Sequence, residues 1–294
     1  MTKLRVGTRG SDLALWQTNW VSEQLSKAHP GLSIERIVIK THGDLAVSQR
    51  FDSDWPVGGF VGAIEQALSR NEIDFAVHSY KDMQTAQTPG LAIAAVPVRE
   101  VVHDVLVTRK NISLADIGDG FRLGTSSPRR IAQFRRAADV EIVELRGNVP
   151  TRVKKLDSEN LDGVVLAAAG LKRLAINPPH RIDLPTERFV PAPAQGALAI
   201  QTRETGEARE IIQSLDDART RRAVDTERAF LKEIGAGCHV PVGALATIRG
   251  DTVLLQGQLF SRGYSKLAQG IQEGTDPAAV GVRLAKRLLG ELDE

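Results

Sequence analysis

Short apolar runs alternate with stretches of helical periodicity through the first two-thirds of the chain, which is the pattern of an α/β protein. Residues 4–7 and 75–77 are typical of buried strands. Between them, apolar residues 13, 16, 20 and 25 recur at helical spacing, and Ser11 precedes them as an N-cap. The pattern therefore predicts a strand followed at once by an amphipathic helix.

The same pattern starts again after Gly120. Residues 5–8, Arg-Val-Gly-Thr, resemble residues 122–125, Arg-Leu-Gly-Thr, and each tetrapeptide leads into a predicted helix. This repetition predicts two α/β domains with equivalent first βα turns. The Pro-rich residues 178–193 are interpreted as a crossing segment between domains, and the end of the chain is predicted to form a small α+β unit.

Composition excludes several classes of protein. The 294 residues carry a formal net charge of +2 and a single cysteine. The near balance of charges argues against a nucleic-acid-coating surface, and one cysteine excludes an intrachain disulfide or a thiolate zinc cluster. The six histidines show no metal spacing, so no metal is expected. The longest apolar run is far short of the ~20 residues that span a membrane, and we expect a cytoplasmic monomer without a membrane partner.

Polar side chains follow the ends of several predicted strands, and many of them are arginines. Ligands of open α/β sheets bind at the carboxyl ends of strands, so these side chains are expected to converge on one cleft. A solvated face explains any single cation, but the set favours a small ligand with several carboxylates. No nucleotide-binding motif is present. The set comprises Arg9, His78, Ser79, Lys81, Asp82, Ser126, Ser127, Arg129, Arg130, Arg146, Asn148 and Arg152.

Ser127 and Pro128 form a strong helix-start signal, because serine favours the N-cap and proline the first helical position. The first turn of such a helix presents free amides to an anion. Arg129 and Arg130 in that turn oppose the helix dipole unless an anion compensates them.

Three other residues leave alternatives open. Asp82 is a candidate catalytic carboxylate, although a structural contact with Lys81 or a capping role is equally compatible with the sequence. His78 ends an apolar strand and is expected to be a half-buried histidine with its hydrogen bonds satisfied. Cys238 lies in a turn bracketed by glycines and a proline, where a nucleophile, an attachment site and a packed thiol are all open.

Seven sequence blocks taken together resemble the porphobilinogen deaminase (hydroxymethylbilane synthase) family. The blocks are TRGSDLALWQ (8–17), DFAVHSYKD (74–82), GTSSPRR (124–130), LRGNVPTR (145–152), LAAAGLKRL (166–174), PAPAQGAL (191–198) and GAGCHVPVG (235–243). The resemblance implies two α/β domains of the type II periplasmic-binding-protein kind and a small C-terminal α+β domain. It places the first domain at 1–98 and 197–216, the second at 99–196, and the third, with the cofactor cysteine, at 217–294.

The same resemblance implies a transferase of tetrapyrrole synthesis. A dipyrromethane cofactor would be attached to Cys238 through a thioether. Four porphobilinogen molecules would be joined head to tail with loss of ammonia. Hydrolysis would then release hydroxymethylbilane, which passes to the next enzyme of tetrapyrrole synthesis.

By similarity, Asp82 is the catalytic carboxylate, placed to stabilise cationic pyrrole intermediates. The implied cofactor-binding residues are Cys238, Lys81, Asp82, Ser127, Arg129, Arg130 and Arg146. The implied substrate-binding residues are Arg9, Ser11, Arg146, Arg152 and Arg173.

The chain departs from the family pattern mainly between residues 42 and 62. His42 stands where the family has Arg or Lys, and Val57 and Gly62 stand where basic residues are common. Residues 100–104, EVVHD, also replace a run that is richer in proline and arginine. We expect activity to survive these changes. The alternatives are a divergent homologue with an impaired lid and a non-catalytic anion-binding module of the periplasmic-binding-protein type.

Overall fold

The computed structural model describes residues 2–39, 62–235 and 240–293. The chain divides into two compact units, the first formed by Met1–Arg99 and Ala197–Arg221, the second by Glu100–Gly196 and Arg222–Glu294. Each unit has a five-stranded sheet, and the second also holds a three-stranded sheet with its helices. The predicted fold class of two α/β domains and a small C-terminal α+β domain is confirmed, while the exact boundaries of three domains stay a prediction.

The helices and strands are numbered along the chain. They are β1 (Lys3–Thr8), α1 (Asp12–Ala28), β2 (Ser33–Val38), α2 (Gly62–Ser69), β3 (Phe75–Ser79), β4 (Leu91–Ala95), β5 (Asp104–Thr108), β6 (Phe121–Gly124), α3 (Pro128–Ala137), β7 (Val140–Val143), α4 (Val149–Ser158), β8 (Gly163–Ala167), α5 (Ala168–Arg173), β9 (Arg181–Asp183), β10 (Leu198–Arg203), α6 (Glu207–Gln213), α7 (Ala218–Glu233), β11 (Val242–Arg249), β12 (Thr252–Phe260), β13 (Leu267–Gly274) and α8 (Pro277–Asp293).

The two five-stranded sheets have the same arrangement of parallel and antiparallel strands. The first has the order β2-β1-β3-β10-β4 and the second β7-β6-β8-β5-β9. In each sheet the first three strands are parallel and the fourth is antiparallel to both of its neighbours. Strands β1 and β6, which carry the repeated tetrapeptides, hold the same place. The predicted equivalence of the βα turns after these strands is confirmed, because each strand leads into a helix with a serine at its N-cap, although β5 precedes β6 in the second unit.

A matching contact between an arginine and an aspartate locks each of these strands to its neighbour. The backbone N–H of Arg5 donates to Asp74 Oδ2 at 2.8 Å, and the N–H of Asp74 donates to the carbonyl of Arg5 at 2.8 Å. Arg122 and Asp162 repeat both hydrogen bonds at 2.9 Å. The repeated contact fixes the register of the parallel strands, and so fixes which residues follow their carboxyl ends.

The C-terminal sheet has the order β11-β12-β13, is antiparallel throughout, and is covered by α7 and α8. Phe230 and Leu284 bring the helices onto the sheet at Gly257, where a Cβ atom would lie 2.9 Å from either side chain. Gly281 allows α8 to approach the backbone of α7, since its Cβ would lie 2.6 Å from the carbonyl oxygen of Thr226. This layer buries its own apolar core.

Two strands were not anticipated from the sequence. β9 lies inside residues 178–193, which we had interpreted only as a crossing segment, and it pairs with β5 at the edge of the second sheet. β13 pairs with β12 but alternates between buried and exposed positions and contains Gly270 and Gly274. Short edge strands and glycine-containing strands have weak hydrophobic patterns, which explains both omissions. Among the described helices, none is long and apolar enough to cross a membrane.

Candidate ligand-binding site at the strand ends

The segments that follow β6 and β7 are tied together at the carboxyl edge of the second sheet. The Oγ of Ser126 donates to the carbonyl of Leu145 and accepts from its N–H, both at 2.9 Å. Ser127 and Arg146 are the next residues of these two segments. The sheet therefore brings two of the implied cofactor-binding positions to the same edge, as the sequence predicts.

Helix α3 begins where the sequence places it, with Ser127 at the N-cap and Pro128 in the first turn. The Ser127 backbone is extended, and its carbonyl accepts the N–H of Ile131 at 2.9 Å. Its hydroxyl makes no capping hydrogen bond. The first turn then carries Arg129 and Arg130 into the interior of the unit.

Arg129 and Arg130 converge on one carboxylate, that of Asp104. The Nη2 of Arg130 donates to Asp104 Oδ1 at 2.7 Å, and the Nη2 of Arg129 lies 2.8 Å from Oδ2. All three side chains are buried. Asp104 is the first residue of β5, opposite Ala167 at the carboxyl end of β8, so it lies at the same edge of the sheet.

Further contacts fix both guanidinium groups. Arg129 Nη1 donates to Gln133 Oε1 at 3.0 Å and to the carbonyl of Val190 at 3.1 Å. Arg130 Nη1 donates to the carbonyl of Val165 at 2.8 Å. Among the described residues, the Nε atoms of both arginines are buried without a hydrogen-bond partner. The pair thus keeps unused donors in the interior.

This cluster carries more positive than negative charge, because two guanidinium groups share a single carboxylate. Burial lowers the pKa of Arg129 below its ordinary value, while Asp104 opposes the shift and the neighbouring Arg130 adds to it. The unfavourable placement of two arginines against the helix dipole is thus offset within the protein by Asp104. The sequence had assigned that role to a bound anion alone.

Arg146 and Arg152 lie at the edge beyond β7 and are more accessible. Arg146 pairs with Glu144 at 2.6 Å, and both side chains are largely exposed. Arg152 Nε donates to the carbonyl of Gly147 at 2.7 Å, in the first turn of α4. That helix is capped by Asn148, whose Oδ1 accepts the N–H of Thr151 at 2.9 Å.

Arg173 is buried at the end of α5. Its Nη2 donates to the carbonyl of Gly196 at 2.7 Å. Burial lowers the pKa of Arg173 to about 10, and the negative charge of Glu100 acts in the opposite direction. Gly196 has a φ of +85°, and a Cβ there would lie 2.6 Å from the carbonyl oxygen of Glu100.

The first unit places the other predicted residues at the carboxyl edge of its own sheet. β1 and β3 are parallel neighbours, so Arg9 and the residues after Ser79 leave the sheet on the same side. Ser11 caps α1, since its Oγ accepts the N–H of Ala14 at 3.4 Å. A 3₁₀ turn over Tyr80–Asp82 follows β3 and leaves Lys81 half-buried and Asp82 exposed. Asp82 is therefore open to solvent on the first unit.

His78 behaves as a structural histidine, as predicted, and is fully buried rather than half-buried. Its Nε2 donates to Gln201 Oε1 at 3.1 Å, because the amide nitrogen of Gln201 already donates to Glu65 at 2.8 Å. Burial lowers the pKa of His78 to about 4, against the opposing effects of Glu65 and Gln201. No cluster of three or more metal-ligating side chains occurs among the described residues.

Some predictions fall outside the described residues, namely those on Cys238, His42 and Val57. Sequence reasoning in turn overlooked Asp104 and Gln195, although Gln195 Nε2 donates to Asp104 Oδ1 at 2.9 Å. The signal was present: Asp104 opens an otherwise apolar strand, Asp-Val-Leu-Val-Thr. A carboxylate buried in such a strand requires cationic or hydrogen-bonding partners.

Comparison with known proteins agrees with the resemblance found in the sequence. Residues 4–211 match the family model described as porphobilinogen deaminase, dipyromethane cofactor binding domain, and residues 222–290 match the C-terminal domain of porphobilinogen deaminase. The porphobilinogen deaminase of Syntrophotalea carbinolica is 44% identical over 97% of this chain and 92% of its own length. That of Roseiflexus sp. is 41% identical over 98% of this chain and 96% of its own length.

Similar solved structures include the BenM effector-binding domain, 18% identical with a TM-score of 0.43, covering 72% of this chain and 91% of that one. TM-scores this low support no conclusion about the present chain. The family models and the relatives establish the family, because they extend over almost all of the chain. The chain belongs to the porphobilinogen deaminase family.

Proposed function

We propose that this chain condenses four porphobilinogen molecules head to tail, with release of one ammonia for each, and then hydrolyses the linear product hydroxymethylbilane from a dipyrromethane attached to Cys238. The observation that most supports this is the placement of the family's site positions. Each one within the described residues lies just beyond a sheet strand or in the helix that follows it. They are Arg9, Ser11, Lys81, Asp82, Ser127, Arg129, Arg130, Arg146, Arg152 and Arg173.

The residues of the second unit fit a group that carries carboxylates. Each pyrrole ring of porphobilinogen and of dipyrromethane bears an acetate and a propionate. Arg129 and Arg130 exceed the charge of Asp104, and their buried Nε atoms lack partners among the described residues. The excess positive charge of this pair at the edge of the sheet favours an anionic ligand.

Dipyrromethane would be held by a small set of side chains. When bound, it supplies the terminal pyrrole carbon from which the chain of rings is extended. The side chains proposed to bind it are Ser127, Arg129, Arg130, Arg146, Lys81 and Asp82, with Cys238 as the point of attachment.

Substrate carboxylates are proposed to bind Arg9, Ser11, Arg146, Arg152 and Arg173. Arg146 is suited to exchange partners, because an exposed ion pair such as the one with Glu144 contributes only about 0–1 kcal/mol. Arg173, by contrast, is buried and held by Gly196. We infer that Arg173 gives a fixed contact and Arg146 an adjustable one.

Asp82 is proposed to be the catalytic carboxylate. When the protonated aminomethyl group of porphobilinogen leaves as ammonia, the substrate becomes a cationic azafulvene. Formation of the new carbon–carbon bond leaves a positive charge that is relieved by loss of a proton from the attacking ring carbon. The carboxylate of Asp82, at the end of the short turn over Tyr80–Asp82, is placed to stabilise each of these cations and to accept the proton.

We further propose that the chain acts as a monomer in the cytoplasm and passes its product to a following enzyme of tetrapyrrole synthesis. The product is an open chain of four pyrroles, and a separate reaction is needed to close it into a macrocycle. The small net charge of +2 is in keeping with a small-molecule substrate and gives no reason to expect a nucleic-acid partner.

The stoichiometry of the reaction tests this function. Purified protein is given porphobilinogen, and ammonia and the linear tetrapyrrole are measured together over time. We expect four ammonia molecules for each tetrapyrrole, and no steady turnover by the Cys238→Ser variant. Binding of porphobilinogen without ammonia release would instead identify a non-catalytic anion-binding module, and absence of both would identify an inactive homologue.

A further inference from the structure

Asp104 occupies a position that the proposed roles of the family residues leave unexplained. It is the first residue of β5 and is fully buried. Its two carboxylate oxygens divide their contacts, Oδ1 with Arg130 at 2.7 Å and Oδ2 with Arg129 at 2.8 Å. One carboxylate therefore contacts both arginines of the α3 first turn.

Without a carboxylate at this place, the two arginines would be unstable as neighbours. They are adjacent in sequence, lie in the positive end of the helix dipole and are shielded from water, so their mutual repulsion is weakly screened. Asp104 compensates one of the two charges. The cluster then keeps one net positive charge and a defined geometry.

Asp104 is itself held by a residue on another segment. Gln195 Nε2 donates to Asp104 Oδ1 at 2.9 Å and to the carbonyl of Val102 at 2.7 Å. The preceding residue, Ala194, donates its N–H to the buried carboxylate of Glu227 at 2.6 Å. Asp104 thus lies in a network that leaves its carboxylate little freedom to turn.

We propose that Asp104 is a positioning residue, which fixes Arg129 and Arg130 in the orientation that receives the carboxylates of dipyrromethane. It touches neither the cofactor nor the substrate in this account and acts only through the two arginines. The proposal rests on the proposed function, because it assigns Asp104 a purpose within that site.

The test uses the full chain produced in a host that makes no porphobilinogen. Porphobilinogen is then added, and the gain of dipyrromethane mass is followed by denaturing mass spectrometry. Asp104→Asn keeps the shape of the side chain but removes its charge. We expect the rate of mass gain to fall about tenfold, the scale seen when a supporting partner of a bound group is lost. Once loaded, the variant should show a lowered kcat with a smaller change in the KM for porphobilinogen, because Arg129 and Arg130 are proposed to bind the dipyrromethane and not the incoming substrate.

Two comparisons separate positioning from general stability. Asp183→Asn alters an exposed carboxylate on β9, the neighbour of β5 in the same sheet, and it should load at the wild-type rate. In an Arg130→Gln background, replacing Asp104 should have a clearly smaller effect than in wild type, because one of the two charges that it orients is already gone.

Loading of Asp104→Asn at the wild-type rate with an unchanged kcat would overturn the proposal. Should that variant fail to fold, Gln195→Met is tested in its place. It removes one hydrogen bond to Asp104 and should slow loading two- to threefold, whereas loading at the wild-type rate with an unchanged kcat would overturn the proposal. If wild-type protein itself never gains mass, the proposed function fails instead, so the two failures are distinguishable.

Discussion

Arg173 donates from Nη2 to the carbonyl oxygen of Gly196 at 2.7 Å. The position of this buried guanidinium group therefore depends on a residue in the left-handed backbone conformation. Gly196 has a φ of +85°, and a Cβ atom there would lie 2.6 and 2.7 Å from the carbonyl oxygens of Glu100 and Val101. Both obstacles are backbone atoms, which cannot rotate away. The backbone around position 196 can therefore adopt this conformation only with glycine.

Gly196→Ala should consequently lower the free energy of unfolding by about 2–4 kcal/mol, from the clash and from the positive φ together. It should also reduce turnover, because the acceptor of Arg173 must shift. Denaturant unfolding and porphobilinogen consumption measure the two effects. Gly120→Ala is the matched control: Gly120 has a φ of +76° but nothing within 4 Å of a Cβ, and its loss should be about 1 kcal/mol. Equal losses in the two variants would contradict the steric argument.

Asp82→Asn should remove turnover while sparing the fold. Its side chain is exposed, so the change in unfolding free energy should stay within about 0.5 kcal/mol. Loss of the charge that stabilises the substrate cations should lower kcat at least about 100-fold. Dipyrromethane should remain attached, as mass spectrometry would report. Asp119→Asn, an exposed carboxylate in another turn, serves as control, and near-normal turnover by Asp82→Asn would show that its carboxylate is structural.

Arg146 and Arg129 should respond differently to replacement by leucine. Arg146 forms an exposed pair with Glu144, so its removal should cost less than about 1 kcal/mol of stability yet slow elongation. Arg129 is buried and donates to Gln133 and to the carbonyl of Val190, so its removal leaves buried acceptors without their donor and should cost about 1–3 kcal/mol. Thermal unfolding and rates of porphobilinogen consumption distinguish the two. An Arg146→Leu variant with wild-type rates would remove Arg146 from the proposed site.

His78 predicts a pH dependence of stability. Its pKa is about 4 in the folded chain against an ordinary value of 6.5, so the unfolded chain binds more protons between these values. The free energy of unfolding should therefore fall as the pH drops from about 6.5 to 4, by about 3 kcal/mol from this residue.

The His78→Gln variant should lose this part of the slope, which denaturant unfolding at a series of pH values would show. Glu65 and Gln201 are the groups that face His78, and both remain in the variant. An unaltered slope in His78→Gln would contradict the assignment.

Much of the fold was predictable because the chain repeats a local pattern. The tetrapeptides at 5–8 and 122–125 fall in equivalent strands, and Ser11 and Ser127 both stand at the start of the helix that follows. Apolar periodicity and helix-start residues are local signals, so they predict helices and strands without knowledge of the tertiary structure. β13 was not predicted, because an edge strand with glycines and one exposed face lacks a clear apolar pattern.

The candidate site was predictable as a set of positions, but not as a set of contacts. The sequence places Arg129 and Arg130 correctly in the first turn of α3. The carboxylate of Asp104 stands out in its apolar strand, but its pairing with these two arginines is not readable from the sequence, because Asp104 is distant in the chain and meets them only through sheet pairing. Burial of Arg173 against Gly196 is equally a tertiary property. Which charged residues meet across the fold depends on how the strands pair, and no local pattern in a single sequence reveals it.

The central claim, that this chain carries a dipyrromethane on Cys238, is tested most directly by intact mass under denaturing conditions. Protein produced with a supply of porphobilinogen should be heavier than its encoded sequence by two linked pyrrole units. The Cys238→Ser variant should have the encoded mass. A wild-type chain of unmodified mass, or the same excess in the variant, would contradict the account.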